Sequence, residues 1–423
     1  MKNFKERIVS DILKLVAIQS FTGDREGIRK SQLVIQQIAT DMGFKTSYHA
    51  NRQVLLIEPN GMVYPPELGI VVHVDTVPYD EEEWTTNPLG EIKDGRIYGR
   101  GVVDDKAAII LAMYAMKKLQ GRIKESWQII IGSSEEGEWT DIAGYLEEVK
   151  QLPKFSITID GDGVQNGCRG YMDLELAFKR NAKSRILSDL KVINGANNAV
   201  PGKAVAKING TVIEVTGKAV HSSIPQIGTN ALVNLLYSVY GENVEFPGLF
   251  EIAKDLKDNY NATCLGFKAH PEMLDGQNVG YTSVCMTNCL YLEDTILVNL
   301  NIRFSPNTTK SEIKQAVKEI CTKYGCTSKI KALKMPAYIS PNAREIRLML
   351  NAYKEVFGKE TRSEFAMGCG YNSAFPNCAI FGPRFAVNHD EEDTCHSADE
   401  NRRIEDLYKF FDMLCSFICK YYS

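Results

Sequence analysis

The sequence predicts an α/β fold in which a mixed, mostly parallel sheet lies between helices and a second, α+β domain is inserted into the first. Short runs of Val and Ile alternate with helix-period stretches over residues 1–168 and again over 336–423, which is typical of a sheet covered on both faces by helices. Residues 169–335 change to two-residue alternation, which indicates half-exposed antiparallel strands. We therefore expect one domain in two pieces, 1–168 and 336–423, around an inserted domain, 169–335.

The first piece begins with two predicted helices, over residues 4–18 and 28–42, because apolar residues recur there at helical spacing and Gly43 is a common helix stop. Strands and helices then alternate. The expected strands cover 54–57, 69–74, 127–132 and 155–160, and the expected helices cover 105–119 and 140–150.

The inserted domain and the last piece show similar local signals. The stretch "YMDLELAFKR" alternates apolar and polar residues, which predicts an antiparallel strand. Thr309 and Glu312 have the spacing of a capping box at the start of a helix. The remaining expected elements are strands over 203–216, 280–303 and 378–381 and helices over 229–240, 309–324, 343–357 and 402–421.

Composition excludes several classes of protein. A chain of 423 residues with a net charge of -4 gives no reason to expect a nucleic-acid or membrane partner. Charges interrupt what would be the apolar core of an N-terminal signal peptide, and no apolar run reaches the ~20 residues of a membrane span. The 11 cysteines are odd in number and scattered, unlike a secreted disulfide framework. We therefore predict a cytoplasmic protein.

Ionisable residues gather where predicted apolar strands end. His73, Asp75, Asp104, Glu135 and Glu136 each follow or close such a run, and open α/β sheets bind ligands beyond the carboxyl ends of their strands. So many carboxylates repel one another unless positive charge lies among them. Histidine and carboxylate together form a ligand set that suits a pair of zinc ions, with manganese or cobalt possible.

Each of these residues also has a simpler interpretation when taken alone. His73 and Asp75 face the same way on a strand, so Asp75 can accept the second N–H of a metal-bound His73, or His73 can be a satisfied strand-end residue. Asp104 can be a ligand or a helix N-cap. Glu135 and Glu136 can be a surface pair, or they can divide metal binding and proton transfer between them.

Two further histidines and one cysteine stand apart in the sequence. His396 in "TCHSADEN" lies among acidic groups at a segment boundary, and His221 in "TGKAVHSSIP" lies in the inserted domain, far from the others in sequence. A structural role is the default for either one alone. Cys395 adjoins His396, and we interpret it as a small buried apolar residue rather than a reactive thiol.

Taken in order, the motifs resemble a known family, the two-zinc metallopeptidases and deacylases. The similar stretches include "HVDTVP", "DGRIYGRGVVDDK", "SSEEGEW", "GKAVHSSIPQIGTNA", "NIRFSP" and "CHSADE", and they extend over nearly the whole chain. Members include carboxypeptidase G, aminoacylase, acetylornithine deacetylase, succinyl-diaminopimelate desuccinylase, and the peptidase V and carnosinase dipeptidases. The resemblance implies a zinc-peptidase-like catalytic domain with an inserted lid domain, most similar to the peptidase V branch.

Position by position, the resemblance implies a site for two zinc ions. His73 and Asp160 would hold one ion. Glu136 and His396 would hold the other, and Asp104 would bridge the two.

Other residues would act beside the metals. Asp75 would orient the first histidine, and Glu135 would be the general base that activates a bridging water. Two rival ligands stay open: Asp162, close to Asp160 in "TIDGDG", and His389 in "VNHDEED".

The resemblance also assigns residues to substrate binding. His221 would stabilise the oxyanion, and Asn198 and Arg303 would contact the substrate carbonyl and its terminal carboxylate. Gly368 and Gly370 would line the site and allow close backbone approach. Because the inserted domain is long, we expect a site complete in one chain, although a dimer is possible.

The implied reaction is metal-dependent hydrolysis of an amide next to a free carboxylate, most naturally in a dipeptide. The alternatives are an N-acyl amino-acid deacylase or desuccinylase and, more remotely, a non-catalytic binding protein on the same scaffold. The resemblance also implies a cis peptide between Asp104 and Asp105. The preferred substrate, the native metal and the oligomeric state do not follow from the sequence.

Overall fold

The computed structural model describes residues 2–161, 163–181, 186–239, 245–382 and 394–423. These residues form two compact units. Unit 1 comprises Met1–Gly167, Ala337–Ala366 and Gly370–Ser423, and unit 2 comprises Cys168–Pro336 and Met367–Cys369. The division into one domain made of 1–168 and 336–423 and an inserted domain over 169–335 stays a prediction.

Unit 1 combines helices with one large sheet and one small sheet. Its helices are Lys2–Val16, Arg25–Asp41, Lys106–Leu119, Thr140–Glu148, Arg344–Phe357 and Ile404–Tyr421. Its strands are Lys45–His49, Val54–Glu58, Leu68–His73, Glu91–Lys93, Arg96–Tyr98, Trp127–Gly132, Phe155–Thr158, Val164–Cys168, Ala337–Tyr338, Glu364–Ala366, Cys378–Phe381 and Asn401–Arg403. The elements predicted for the first and last pieces are confirmed, whereas several short strands among these were not predicted.

The large sheet of unit 1 has a parallel centre. Its four central strands run in the order Trp127–Gly132, Leu68–His73, Phe155–Thr158 and Cys378–Phe381, and each pairs in parallel with the next. Antiparallel strands flank this centre on both sides. The predicted mixed, mostly parallel sheet is therefore confirmed, and the central strands end along one edge.

The helix Lys106–Leu119 is buried inside unit 1. Residues 107–116 are each at most 4% exposed, and a fully buried Leu, Ile or Met side chain contributes about 1.5–3 kcal/mol. Asp105 occupies the N-cap position but makes no side-chain capping bond, so Asp104 is not the N-cap. Burial of this helix fixes the position of the two aspartates directly before it.

A small antiparallel sheet joins two distant stretches of unit 1. Asn401–Arg403 pairs with Arg96–Tyr98, which in turn pairs with Glu91–Lys93. The backbone N–H of Gly99 donates to the carbonyl of Glu400 at 2.9 Å. The residues just before Asn401 are thereby brought beside the loop that carries Asp104.

Unit 2 is an antiparallel sheet with helices. Its main strands are Gly170–Lys179, Leu187–Val192, Lys203–Ile208, Thr211–Thr216, Ser283–Leu292, Thr295–Phe304 and Thr327–Lys334, with a short hairpin of Met273–Leu274 and Gln277–Asn278. Its helices are Ala231–Ser238, Pro247–Asp255 and Lys310–Tyr324. The predicted capping box of Thr309 and Glu312 is present. Leu174, Leu176 and Phe178 point into the buried apolar cluster of this unit, as their alternation predicts.

Neither membrane spans nor disulfides are found in the described ranges. No helix there is both long and apolar enough to cross a lipid bilayer. The 11 cysteines all lie within those ranges, and none is joined to another by a disulfide.

Candidate metal centre and substrate-binding residues

The carboxyl ends of three central strands in unit 1 carry ionisable side chains. These strands end at His73, Gly132 and Thr158. Because neighbouring parallel strands end at the same edge of the sheet, the residues that follow them are brought close together. The following acidic residues are Asp75, Glu135, Glu136 and Asp160.

The first group of ligand atoms surrounds His73, which is 1% exposed. Its Nε2 lies 2.8 Å from Oδ1 of Asp104 and 3.9 Å from Oδ2 of Asp160. Ligand atoms of these three residues all lie within 4.8 Å of one another. One imidazole and two carboxylates therefore face a common point.

The second group of ligand atoms surrounds Oδ2, the other carboxylate oxygen of Asp104. Nε2 of His396 is 3.2 Å from Asp104 Oδ2 and 2.7 Å from Oε1 of Glu136. Sγ of Cys395 is 3.1 Å from the same Asp104 oxygen. Asp104 thus presents one oxygen to each group, and this position between two imidazoles suits a bridging carboxylate.

Asp75 contacts both the His73 ring and the backbone of the loop that carries Glu135 and Glu136. His73 Nδ1 lies 3.0 Å from the Asp75 backbone carbonyl and 3.4 Å from its carboxylate, and either acceptor favours a proton on Nδ1 and leaves Nε2 for a metal. The carboxylate also accepts the backbone N–H groups of Glu135 and Glu136 at 3.1 and 3.2 Å. The hydroxyl of Thr22 donates to it at 2.7 Å.

The electrostatic field at this edge of the sheet is strongly negative. Burial by itself lowers the pKa of His73, but hydrogen bonds to Asp104 and Asp75 outweigh burial and raise that pKa well above its ordinary value. Hydrogen bonds to Asp104, Cys395 and Glu136 likewise raise the pKa of His396. A site that draws protons onto two imidazoles also attracts divalent cations, and nitrogen and oxygen are donors that zinc accepts. The residues present therefore fit a metal centre.

Glu400 holds the loop that carries Asp104. This carboxylate is 0% exposed and pairs with Arg100 at 2.7 Å. It also accepts the backbone N–H groups of Gly101, Val103 and Asp104 at 3.1, 2.7 and 3.3 Å. The peptide between Asp104 and Asp105 in this loop is cis, as expected. Sequence reasoning did not assign a role to Arg100 or Glu400, although both lie inside the quoted motifs.

Glu135 is positioned by its backbone. Its N–H is held by Asp75, and its carbonyl accepts the indole N–H of Trp139 at 2.7 Å. A Cβ atom placed on Gly370 would lie 3.4 Å from Glu135 Oε1 and 3.7 Å from Asp160 Oδ2. Gly370 therefore leaves space beside both carboxylates. A Cβ atom on Gly368, by contrast, would meet nothing within 4 Å.

Unit 2 brings its predicted residues together by backbone pairing. Ala199 and His221 form a β-bridge, and the N–H of Ser222 donates to the carbonyl of Asn198 at 2.8 Å. The N–H of Ser223 donates to Nδ1 of His221 at 3.2 Å. Because a backbone N–H can only donate, the neutral His221 ring carries its proton on Nε2. Partial burial, followed by the charge of Arg303, lowers the pKa of His221 and favours this neutral form.

Arg303 is a buried cation without an acidic partner among the described residues. It is 7% exposed, its Nε donates to Oδ1 of Asn301 at 3.2 Å, and its guanidinium lies 4.6 Å from the ring centroid of Tyr171. Burial lowers the pKa of Arg303, and the nearby Cys369 and Tyr171 offset part of this decrease. Such a group is suited to bind a carboxylate from a ligand.

Two residues that sequence reasoning missed connect these parts of unit 2. Asn301 donates to the carbonyl of Asn197 at 3.1 Å while it accepts from Arg303. Arg169 donates to the carbonyls of Ser223 and Arg303 at 3.3 and 3.0 Å. The contacts with Asn197 and Ser223 join segments that are distant in sequence, so no local pattern signals them, although Asn301 itself lies in the quoted motif "NIRFSP". The rival ligands Asp162 and His389 lie outside the described residues.

The fold and these residues agree with a comparison to protein families. Residues 69–420 match Peptidase family M20/M25/M40, so the chain belongs to that family of peptidases, whose members bind two metal ions. The resemblance predicted from the motifs is thereby confirmed.

Individual relatives cover nearly the full length of the chain. The chain is 24% identical to "Putative dipeptidase SAB1611c" of Staphylococcus aureus (strain bovine RF122 / ET3-1), with 95% of this chain and 94% of the relative covered. Among solved structures, the M20 family metallo-carboxypeptidase Sso-CP2 from Sulfolobus solfataricus matches with a TM-score of 0.65 and 17% identity, covering 98% and 99% of the two chains. Human carnosine dipeptidase 1 matches with a TM-score of 0.62 and 13% identity, covering 99% and 97%. These structures support the α/β fold.

Proposed function

We propose that this peptidase hydrolyses dipeptides that have a free terminal carboxylate and that it uses two divalent metal ions, with zinc as the native metal and manganese or cobalt as replacements. The observation that carries the proposal is the position of Asp104. Its two oxygens lie 2.8 and 3.2 Å from Nε2 of His73 and of His396. One carboxylate can therefore serve two ions at once. The dipeptidase names of several relatives favour the same substrate class.

The proposed ligands divide between the two ions. His73 and Asp160 would hold one ion, Glu136 and His396 the other, and Asp104 both. When bound, the ions would polarise the scissile carbonyl and lower the pKa of the attacking water. Asp75 keeps the His73 ring in the orientation that leaves Nε2 available.

Glu135 is proposed as the general base. It removes a proton from the attacking water and delivers that proton to the leaving amine. Its backbone is held at both the N–H and the carbonyl, by Asp75 and Trp139. Its carboxylate borders the space left by Gly370. A group in this role is fixed in position while its carboxylate stays accessible.

Unit 2 is proposed to bind and stabilise the reacting peptide. Arg303 would bind the terminal carboxylate, since a buried guanidinium gains most from a charged partner. Asn198 would contact the substrate carbonyl. The Nε2–H of His221 would donate to the oxyanion, an interaction that is strongest in the transition state.

We further propose that the protein acts in the cytoplasm and that one chain is sufficient for activity. Eleven cysteines without a disulfide suit a reducing compartment. The net charge of -4 favours neither nucleic acid nor an anionic membrane as a partner.

A substitution of Glu135 tests the proposal. Glu135→Ala should keep its bound metal and its fold, yet lose about 10²–10⁴ in turnover of dipeptides. Glu138→Ala, on the same loop and exposed, is the matched control and should keep native turnover. Near-native turnover of Glu135→Ala would refute the assigned base.

The substrate class is tested separately. A dipeptide library and a set of N-acetyl and N-succinyl amino acids should be assayed with the native protein. Release of amino acids from dipeptides but not from the acylated compounds supports the dipeptidase. The opposite result would establish a deacylase with the same metal centre.

A further inference from the structure

We propose that Cys395 supplies a sulfur ligand to the metal position on the His396 side of Asp104, which makes the two metal positions chemically different. This inference rests on the proposed metal centre. It adds a ligand of a different chemical type to that centre, and it predicts which position prefers which metal.

The distances around Asp104 Oδ2 favour a shared ion. Cys395 Sγ is 3.1 Å and His396 Nε2 is 3.2 Å from this oxygen. Ligand atoms of the three residues all lie within 4.8 Å of one another. Donors bound to one tetrahedral zinc at about 2.0–2.3 Å lie roughly 3.3–3.6 Å from each other. Small shifts would therefore suffice to bring all three onto one ion.

The backbone explains how two adjacent side chains reach the same oxygen. In an extended segment, neighbouring side chains point to opposite sides. His396 instead has a φ of 61°, in the left-handed region that few non-glycine residues adopt. Thr394 and Asn401 close this turn with two hydrogen bonds, at 3.1 and 3.2 Å. The turn therefore directs both Cys395 and His396 toward Asp104.

Burial as a small apolar side chain does not explain why the Cys395 sulfur contacts the carboxylate of Asp104. The buried thiols of Cys285 and Cys378 donate to backbone carbonyls next to them in the chain, at 3.7 and 3.8 Å, and Cys285 also accepts from the amide of Asn230 at 3.7 Å. Cys395 is only partly buried, and its sulfur contacts the carboxylate of Asp104, 291 residues away. A thiol placed against a predicted metal ligand is suited to coordination.

The consequence concerns metal selectivity. The group of His73, Asp104 and Asp160 offers only nitrogen and oxygen, whereas the Cys395 side adds sulfur. Sulfur ligands favour zinc, cobalt and cadmium over manganese or magnesium. On binding, the thiol proton is released to solvent and a sulfur lone pair forms the bond to the cation. We expect the sulfur-containing position to select the softer ion.

Cobalt(II) titration of the full-length protein tests the ligand directly. The native protein should develop visible d–d bands together with a near-ultraviolet thiolate-to-cobalt charge-transfer band. Cys395→Ser should lose the charge-transfer band and retain the visible bands. Cys419→Ser, at another partly buried cysteine of unit 1, is the matched control and should retain both.

A second measurement uses the native protein and needs no variant. Zinc loading should slow alkylation of Cys395, followed by mass spectrometry, and should leave the rate at Cys419 unchanged. Visible bands without a charge-transfer band, a charge-transfer band that persists in Cys395→Ser, or an unchanged alkylation rate would overturn the sulfur ligand alone. Absence of every cobalt band in the native protein would overturn the metal centre and the sulfur ligand with it.

Discussion

Substitution of Glu400 by glutamine probes how the Asp104 loop is held. Glutamine keeps one oxygen for the N–H groups of Gly101, Val103 and Asp104, but its amide replaces the oxygen that pairs with Arg100 at 2.7 Å. Glu400 is 0% exposed and Arg100 is 4% exposed. Removing one partner of a buried ion pair costs about 3–5 kcal/mol, because the other charge remains buried.

The loss should appear in both stability and metal binding. The free energy of unfolding of unit 1 should fall by about 3–5 kcal/mol, out of a typical total of about 5–15 kcal/mol. Since Asp104 would lose its firm placement, zinc affinity should fall about 10–100-fold, the usual effect of removing a residue that orients a ligand.

Tryptophan fluorescence during urea unfolding is a suitable assay. The 3 tryptophans, Trp84, Trp127 and Trp139, all lie in unit 1, so their signal reports that unit alone. Glu405→Gln is the matched control, because Glu405 is exposed and pairs with Lys409 on one helix face, where solvent screens the charges and loss of the pair changes stability little. If Glu400→Gln unfolded at the native urea concentration and bound zinc normally, the role of this ion pair would be refuted.

Three further predictions follow from other contacts. Asp75→Asn should lower zinc affinity about 10–100-fold in a chelator competition, because Glu135 and Glu136 donate to different oxygens of Asp75 and an amide keeps only one of those acceptors; unchanged affinity would contradict this role. Arg303→Lys should raise KM for dipeptides about 10–100-fold with little change in kcat, because lysine cannot bind a carboxylate bidentately; an unchanged KM would remove Arg303 from substrate binding. Burial lowers the pKa of Lys106 from 10.5 to about 7. Between pH 7 and 10.5 the unfolded chain therefore still binds a proton that the folded protein has released, so the free energy of unfolding rises with pH across that window. The stability gained by Lys106→Met over the native protein should therefore be largest below pH 7 and should shrink toward pH 10.5. Urea unfolding at each pH measures this difference in stability, and a difference that does not change with pH would contradict the assignment.

Much of the fold was predictable because its signals are local. The Val and Ile runs at 69–74 and 127–132 can be recognised without knowledge of their neighbours, since a strand buried on both faces needs a continuous apolar run. The capping box at Thr309 is likewise contained within four residues. The short strand Lys45–His49 was missed because its residues are mostly polar and its place depends on pairing with Val54–Glu58.

The sequence by itself determined which residues are candidates at the metal centre, because the order and spacing of the motifs identify the family and most of the candidates follow an apolar run. Only the tertiary structure decided how they are held. Arg100 and Glu400 are 300 residues apart, and Thr22 reaches Asp75 across 53 residues. Such contacts depend on how helices and strands pack, and side-chain period and turn chemistry, which act over a few residues, carry no record of them.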